Sequence, residues 1–204
     1  MKDYTKKILY ILAGILILLI LYTLKNTHYF VSVLGFLVSV LLFYLADTFL
    51  GLNFKNYHYF IFIFIAASGI LFSSLYFIYS GYDKILHLIS PILLGVLIFS
   101  LANRANVKFQ TKLLITFSVV LMFLALFEIG EFALDKLFDL KLQGVFLRDV
   151  SGVAKLNIVM DRNDDTMIDL ILGGVGSLVF TGYKLIIFNY QKIKENKKKK
   201  TKKK

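Results

Sequence analysis

The sequence predicts an all-α, polytopic integral membrane protein with about six transmembrane helices. The chain has 204 residues, of which 58% are hydrophobic and 18% are charged. A soluble domain of this size has fewer long apolar runs. In this chain apolar segments of about 20 residues, the length that spans the hydrocarbon core, follow one another with short connections. These observations predict one helical transmembrane domain over residues 1–191.

The first apolar segment follows Lys2, Lys6 and Lys7 and so looks like a signal peptide. Because the run is long and no small-x-small cleavage site follows it, we expect a retained anchor. Five further segments have the length of a span. The six predicted spans are about 7–24, 29–50, 58–80, 84–102, 112–134 and 166–190.

The distribution of Lys and Arg in the short loops predicts the orientation in the cell membrane. If the N-terminus is cytoplasmic, the inner loops carry Lys55, Arg104, Lys108 and Lys112, and the C-terminal Lys run is also inside. The outer loop at 135–165 contains basic residues too, but its Asp residues offset them. The pattern therefore predicts cytoplasmic termini and an extracytoplasmic 135–165 loop.

The C-terminal segment 192–204 contains nine Lys and one Glu, which is +8 of the formal net charge of +11. We expect a disordered cytoplasmic tail that contacts anionic lipid headgroups. No aromatic or fold context beside it favours nucleic-acid binding. The chain has no Cys, so disulfides and thiolate metal sites are excluded. The sequence leaves the oligomeric state open.

The outer loop contains two partly apolar stretches, 140–147 and 154–160. The first shows partial alternation of apolar and polar residues, which is typical of a strand. The two stretches predict a hairpin that lies over the outer face as a lid.

Ionisable side chains interrupt the last three spans at places where a membrane helix rarely carries them. A charged group in hydrocarbon costs several kcal/mol and is usually retained for function. Because the chain runs down, up and down through these spans, the polar positions all fall at outer ends. The predicted site consists of Asp83, His87, Glu128, Glu131, Asp165 and Asp169.

Helical spacing pairs these residues before any tertiary contact is known. Asp83 and His87 are four residues apart and share a helix face. The two Glu residues, 128 and 131, repel each other and cannot both stay ionised in a low dielectric without a partner. Asp165 suits a helix N-terminus, whereas Asp169 lies a full turn further inside. The following cluster of Gly173, Gly174 and Gly176 predicts tight helix packing.

So many acids at one depth require shared protons or a bound cation. Lys84 is a candidate to neutralise one of them. Oxygen-rich sites with a single imidazole suit Mg, Mn or Zn. All six residues of the predicted site are therefore candidate metal ligands. The candidate catalytic residues are His87, Glu128, Glu131 and Asp169, and Asp83 is expected to orient His87.

The three polar segments also resemble known membrane families. Asp83-Lys84-x-x-His87 resembles the opening motif of the VanZ-like proteins, the teicoplanin-resistance type. Glu128-x-x-Glu131 and Asp165-Thr166-x-x-Asp169 occupy the places of their later motifs, although Gly173 stands where those proteins have Asn. These motifs look closer still to the membrane family called domain of unknown function 2238. The resemblance covers roughly residues 58–182 and implies a multi-span bacterial or archaeal membrane protein, without implying a reaction.

Three functions remain open at this stage. The preferred one is metal- or acid/base-dependent chemistry on a lipid-linked or cell-envelope substrate. The alternatives are a transporter of protons, cations or small solutes, and a non-catalytic membrane interaction protein. Transport requires a polar path to the inner face, and the inner halves of the last three spans are nearly all apolar.

Overall fold

A computed structural model of the chain describes residues 27–138, 141–148 and 156–201, and single residues at positions 12, 15, 16 and 19. It divides into two compact units, Met1–Ile78 and Tyr79–Lys204. The regular elements in chain order are α1 (Thr27–Phe49), α2 (Asn56–Ala66), α3 (Tyr82–Ala102), α4 (Phe109–Phe138), β1 (Val145–Arg148), β2 (Leu156–Met160) and α5 (Arg162–Thr201).

The helices confirm the predicted class of all-α integral membrane protein. Within the described residues, four helices are long and apolar enough to cross a bilayer. They are Ser32–Phe49 within α1, Tyr82–Ala102, Phe109–Leu137 and Arg162–Lys199. Large apolar side chains on their surfaces, such as Leu42, Phe127 and Ile171, are more than half exposed, as expected for a surface that faces lipid. The predicted span over 7–24 lies mostly outside the described residues.

The predicted span over 58–80 differs from a single regular helix. It consists of α2, a π-helical turn at Ala67–Leu71 and a 3-10 turn at Ser73–Phe77. The apolar helical stretch Asn56–Leu71 is shorter than a full span. Gly69 and the following serines have low helix propensity, because glycine loses more backbone entropy and serine competes for backbone hydrogen bonds. The continuous helix is therefore lost in the second half of this segment.

In the first unit, the connection between α1 and α2 is organised by Asp47. One carboxylate oxygen accepts a hydrogen bond from the Phe54 backbone N–H at 3.0 Å. The other accepts one from the Tyr59 hydroxyl at 2.5 Å. The Phe43 ring stacks on Phe54 and Phe62 at centroid distances of 5.1 and 4.1 Å. Asp47, which the sequence places near the end of a span, thus fixes a turn between two helices.

In the second unit, α3, α4 and α5 each contact the other two. A Cβ atom on Gly176 would lie 2.3 Å from the Leu88 carbonyl oxygen, and one on Gly95 would lie 2.6 Å from the Phe180 ring. Only glycine therefore allows α3 and α5 to approach this closely. The predicted tight packing is confirmed at Gly173 and Gly176, whereas Gly174 faces open space.

The predicted hairpin is present as the antiparallel pair β1–β2. Val145 lies opposite Met160 and Arg148 opposite Leu156, with an irregularity after Val145. The connection is shorter than the predicted 135–165 loop, because α4 continues to Phe138 and α5 already begins at Arg162. Both helices gain stability by extending their hydrogen-bonded ladders past the apolar segment.

The predicted disorder of residues 192–204 disagrees with the structure for residues 192–201, which continue α5 as a helix. Lysine has a high helix propensity, and the long apolar helix before it supplies the nucleus that an isolated Lys run lacks. Residues 202–204 lie outside the described part of the chain. Further up α5, the Lys184 ammonium lies 4.9 Å from the centroid of the Phe99 ring, within cation–π range.

Candidate functional site: an acid, lysine and histidine cluster

Polar side chains from α3, α4 and α5 lie at one end of the second unit. The first two turns of α3, the last three turns of α4 and the first two turns of α5 supply them. We call this set the polar cluster. Its members are Asp83, Lys84, His87, Glu128, Glu131, Asp165 and Asp169.

Lys84 is the centre of the cluster. Its Nζ atom lies 2.8 Å from each carboxylate oxygen of Asp169 and 3.2 Å from Asp83 Oδ2. It also donates to Asp165 Oδ1. The Asp165 and Asp169 side chains are only 3% and 1% exposed, so their charges need a buried partner. The sequence suggested that Lys84 neutralises one acid, whereas in the structure its ammonium contacts three carboxylates.

Asp165 also holds the hairpin onto α5. Its second oxygen accepts a hydrogen bond from the Gly144 backbone N–H at 2.7 Å. Gly144 has φ +88°, which L side chains rarely adopt, so the close approach depends on glycine. Beside this contact, Gln143 Nε2 donates to Thr166 Oγ1 at 3.0 Å. The start of β1 is therefore fixed against the first turn of α5.

Asp135 anchors the same segment from α4. Its two carboxylate oxygens accept hydrogen bonds from the backbone N–H groups of Leu142 at 2.7 Å and Gln143 at 3.0 Å. The side chain is buried, with 4% of the residue exposed. Sequence reasoning missed this residue because it assigned 135 to the loop. The signal was present, since Asp135 lies four residues after Glu131 and continues the acidic face of α4.

The His87 imidazole lies between two carboxylates. Its Nε2 atom is 3.4 Å from Asp83 Oδ1, and its Nδ1 atom is 3.6 Å from Glu128 Oε1. The edge-on ring of Phe127, 5.8 Å away between centroids, covers it from the side. The predicted pairing of Asp83 with His87 on one face of α3 is present, and the second carboxylate comes from another helix.

Glu128 differs from the other buried acids of the cluster. Its side chain is 6% exposed, yet neither carboxylate oxygen has a hydrogen-bond partner among the described residues. Glu131, one turn later, is half-buried and lies within electrostatic range of Glu128. A buried carboxylate without hydrogen bonds is unfavourable unless a proton or ligand completes it.

Part of the cluster has the arrangement of a metal site. Ligand atoms of Asp83, His87 and Asp169 all lie within 4.8 Å of one another. Atoms that share an ion at about 2.1 Å are at most about 4.2 Å apart, so a small side-chain rotation brings these three into range. Of the six predicted ligands, this group thus contains three. Asp165 lies outside this group, and its two oxygens accept hydrogen bonds from Lys84 and from the Gly144 backbone N–H.

A cleft of about 420 Å³ adjoins the cluster between α4 and α5. Glu128 lies at its polar end, together with Gln143 and Thr166. The remaining lining residues are apolar: Ala125, Ile129, Phe132 and Leu170. The sequence gave no indication of this cleft, because residues from two helices and the hairpin form it.

The comparisons with known proteins agree with this membrane architecture. A family model described as a predicted membrane protein, DUF2238, matches residues 6–190. No curated protein and no solved structure matches the chain. The matched segment covers all three polar segments of the cluster. The chain therefore belongs to the DUF2238 family of predicted membrane proteins.

Proposed function

We propose that the protein is a membrane enzyme whose polar cluster binds a divalent cation and performs acid–base chemistry on a lipid-linked or cell-envelope substrate. The observation that supports this most directly is the position of His87 between Asp83 and Glu128. Asp169 from α5 lies close enough to complete a three-residue ligand group. Three protein ligands with open positions are typical of catalytic metal sites.

The charge balance of the cluster supports a cation. Lys84 is bonded to Asp83, Asp165 and Asp169, but one ammonium cannot neutralise three carboxylates. A divalent cation together with Lys84 supplies three positive charges for these three acids. Burying the same acids without compensation is strongly unfavourable. Mg, Mn and Zn remain the candidate ions, as the oxygen-rich donor set with one imidazole indicates.

The contacts of His87 give each ring nitrogen a role. If Nε2 of His87 held the cation, Nδ1–H would be the atom that faces Glu128 Oε1, 3.6 Å away. A metal-bound histidine commonly donates its other N–H to a carboxylate, which fixes the ring and raises its basicity. Glu128 would then orient His87, and its second oxygen remains available to accept a proton from a substrate. Glu131, one turn further along α4, is the second candidate for proton exchange.

Metal analysis of the purified protein tests this proposal. After incubation with Mn or Zn and removal of free ion, we expect about one ion per chain in the wild type. His87→Ala and Asp169→Asn should reduce the bound ion at least tenfold. The matched control is Asp164→Asn, since Asp164 is exposed and in the same helical turn as Asp165. Equal metal content in all four proteins would contradict the metal site.

Turnover is tested on lipids. The wild type in nanodiscs made from a bacterial polar-lipid extract should convert at least one lipid or lipid-linked species, detected by mass spectrometry. Glu128→Gln should abolish the conversion, because an amide cannot exchange the proton. The Asp164→Asn control should retain it. Conversion by Glu128→Gln at the wild-type rate would exclude Glu128 as the acid–base group.

The proposed topology places this site at the extracytoplasmic face, with both termini in the cytoplasm and the Lys-rich end of α5 on anionic lipid headgroups. The resemblance to the VanZ-like proteins agrees with an envelope role. Single cysteines introduced into this Cys-free chain test the orientation. Asp161→Cys, beside the cluster, should react with an impermeant maleimide in intact cells, whereas Asn103→Cys, at the other end of α3, should not.

Transport of a proton or cation is the second candidate. The observation in its favour is Ser177, which is 1% exposed and has no hydrogen-bond partner for its hydroxyl among the described residues. It lies two turns beyond Asp169 on α5, toward the opposite end of the unit. Proteoliposomes that contain the wild type should acidify their lumen or take up Mn, and those that contain Ser177→Ala should not. This result would favour transport over catalysis.

A further inference from the structure

We propose that the cleft between α4 and α5 is a lateral entrance from the bilayer, through which a lipid presents a primary ammonium group to Glu128. This inference rests on the proposed function and names the class of substrate that its acid–base site would receive. Three features of the cleft support it: its lining, the unsatisfied carboxylate at its polar end and the charge around that carboxylate.

The lipid-facing part of the cleft is suited to acyl chains. Ile129 and Phe132 line it and are 61% and 57% exposed. Both lie on α4 within a helix that is apolar enough to cross the membrane, so their exposed faces meet hydrocarbon. Ala125 at the same face leaves room that a larger side chain would fill. A lipid therefore reaches the cleft without leaving the bilayer.

The polar end of the cleft contains hydrogen-bond acceptors. Glu128 lines this end, and both of its carboxylate oxygens are buried without a hydrogen-bond partner among the described residues. The amide nitrogen of Gln143 is already donated to Thr166, which leaves the Gln143 carbonyl oxygen as an acceptor. The described residues of the lining include no basic side chain. This end of the cleft therefore fits a hydrogen-bond donor and disfavours an anion.

Charge selects an ammonium group from among the possible donors. Lys84 is held by Asp83, Asp165 and Asp169 and does not neutralise the α4 acids. Glu128, the acid among the described residues of the lining, is therefore not engaged by Lys84 and can pair with a cationic group. A primary ammonium supplies both the donors and the opposite charge. The cleft volume of about 420 Å³ is that of a small-ligand site, so it takes a headgroup and the start of a chain.

Photo-crosslinking in nanodiscs tests the inference. Each sample contains a phosphatidylcholine background and a small fraction of one probe lipid with a photoreactive acyl chain, and labelled peptides are mapped by mass spectrometry. A phosphatidylethanolamine probe should label the cleft residues of α4 at least fivefold more than a phosphatidylcholine probe. The two headgroups carry the same charge, but only the first has N–H donors.

Matched variants separate the cleft from the general lipid surface. Ala125→Trp fills the cleft and should reduce phosphatidylethanolamine labelling at least fivefold. Leu126→Trp, on the neighbouring residue that is 53% exposed and outside the cleft lining, should leave it unchanged. Glu128→Gln should reduce the phosphatidylethanolamine signal to the phosphatidylcholine level, because the amide lacks the negative charge.

Three outcomes would overturn the inference. They are equal labelling by both probes, unchanged labelling in Ala125→Trp, and a diacylglycerol or phosphatidylglycerol probe that labels the cleft as strongly as phosphatidylethanolamine. The assay reads lipid occupancy without metal or turnover. Asp169→Asn, which should lose the cation, should therefore keep its selective labelling. In the wild type, selective lipid labelling without bound metal would refute only the metal site, and bound metal without selective labelling would refute only the entrance.

Discussion

Asp47 of the first unit and Glu128 of the second are both buried carboxylates in apolar helices, with 7% and 5% of each residue exposed. Their surroundings differ in one respect. Asp47 accepts hydrogen bonds from the Phe54 N–H and the Tyr59 hydroxyl, whereas Glu128 has no hydrogen-bond partner among the described residues. Burial alone therefore does not distinguish these two acids, whereas the hydrogen bonding of their oxygens does.

The buried acids of the second unit also differ in how fully their oxygens are bonded. Asp135, beside the cluster, resembles Asp47, because both of its oxygens accept backbone hydrogen bonds. Asp165 is shared, since one oxygen contacts Lys84 and the other receives the Gly144 N–H. Such acids hold a segment in place. Asp83 and Asp169, beside His87, accept hydrogen bonds from the Lys84 side chain, and Glu128 has no hydrogen-bond partner among the described residues.

Removal of the Lys84 ammonium group should give the largest effect on thermal stability. Lys84→Met leaves Asp165 and Asp169 buried without their counter-charge, and breaking a buried ion pair from one side costs about 3–5 kcal/mol. For a chain of this size each kcal/mol lowers Tm by about 2–4 °C. Thermal unfolding in detergent should therefore show a drop of about 10 °C, since 3–5 kcal/mol at this sensitivity corresponds to roughly 6–20 °C.

A double variant separates charge from packing in that experiment. Adding Asp169→Asn to Lys84→Met removes one uncompensated carboxylate and should recover part of the lost Tm. Lys84→Arg is the control that retains the charge. If Lys84→Met is as stable as the wild type, the cluster does not depend on Lys84 for its charge balance.

The structural acid of the first unit should give the next largest effect. Asp47→Ala leaves the buried Phe54 N–H without its acceptor and removes the Tyr59 contact. Hydrogen bonds to a charged group contribute about 1.5–3 kcal/mol each, so we expect a loss of about 3 kcal/mol in the free energy of unfolding. Tyr59→Phe removes only one of the two bonds and should cost less. If Asp47→Ala has the same free energy of unfolding as the wild type, the hydrogen bonds of Asp47 do not stabilise the fold, and Asp47 does not differ from Glu128 in this respect.

Local patterns in the sequence were sufficient to predict the class of fold and the segments that form the site. The length of the apolar runs predicted the membrane helices α1, α3, α4 and α5. Helical spacing paired Asp83 with His87. The alternating direction of consecutive spans placed the polar ends of three helices on the same side. The alternation in 140–147 predicted the hairpin. Each of these signals lies within a few residues of chain, where spacing and geometry are directly linked.

Contacts between distant segments could not be predicted in this way. The three carboxylate contacts of Lys84, the hydrogen bond from Gly144 to Asp165 and the cleft beside Glu128 depend on distances between helices that the sequence does not encode locally. The remaining differences between the predicted and the observed secondary structure arise where residues have similar propensities for helix and for other conformations. The π and 3-10 turns after Ala66 and the helical Lys tail are examples, because small differences in propensity settle such segments.

The hairpin should respond to a change on α4 that does not touch its strands. Asp135→Ala removes the acceptor of the Leu142 and Gln143 N–H groups, and each unsatisfied buried donor costs about 1–3 kcal/mol. We expect part of this as local opening, with faster hydrogen exchange in 141–148 and a smaller decrease of global stability than in Asp47→Ala. The control is Asp161→Ala, since Asp161 is exposed and, within the described part of the chain, its carboxylate accepts from the backbone N–H groups of Asn163 and Asp164 in its own helix start. Unchanged exchange in 141–148 would mean that Asp165 alone holds the segment.

The smallest effect on stability is expected at Glu128, where the expected effect on function is largest. Glu128→Gln conserves the volume and removes a buried charge that has no hydrogen bond to lose, so Tm should change by less than about 3 °C, or about 1 kcal/mol. Metal-dependent turnover and selective lipid labelling should nevertheless disappear. A loss of stability equal to that of Asp47→Ala would show that Glu128 is a structural acid whose partner is provided by a ligand or by another part of the fold. Stability and function would then no longer separate the two carboxylates, because the folded state would need both equally.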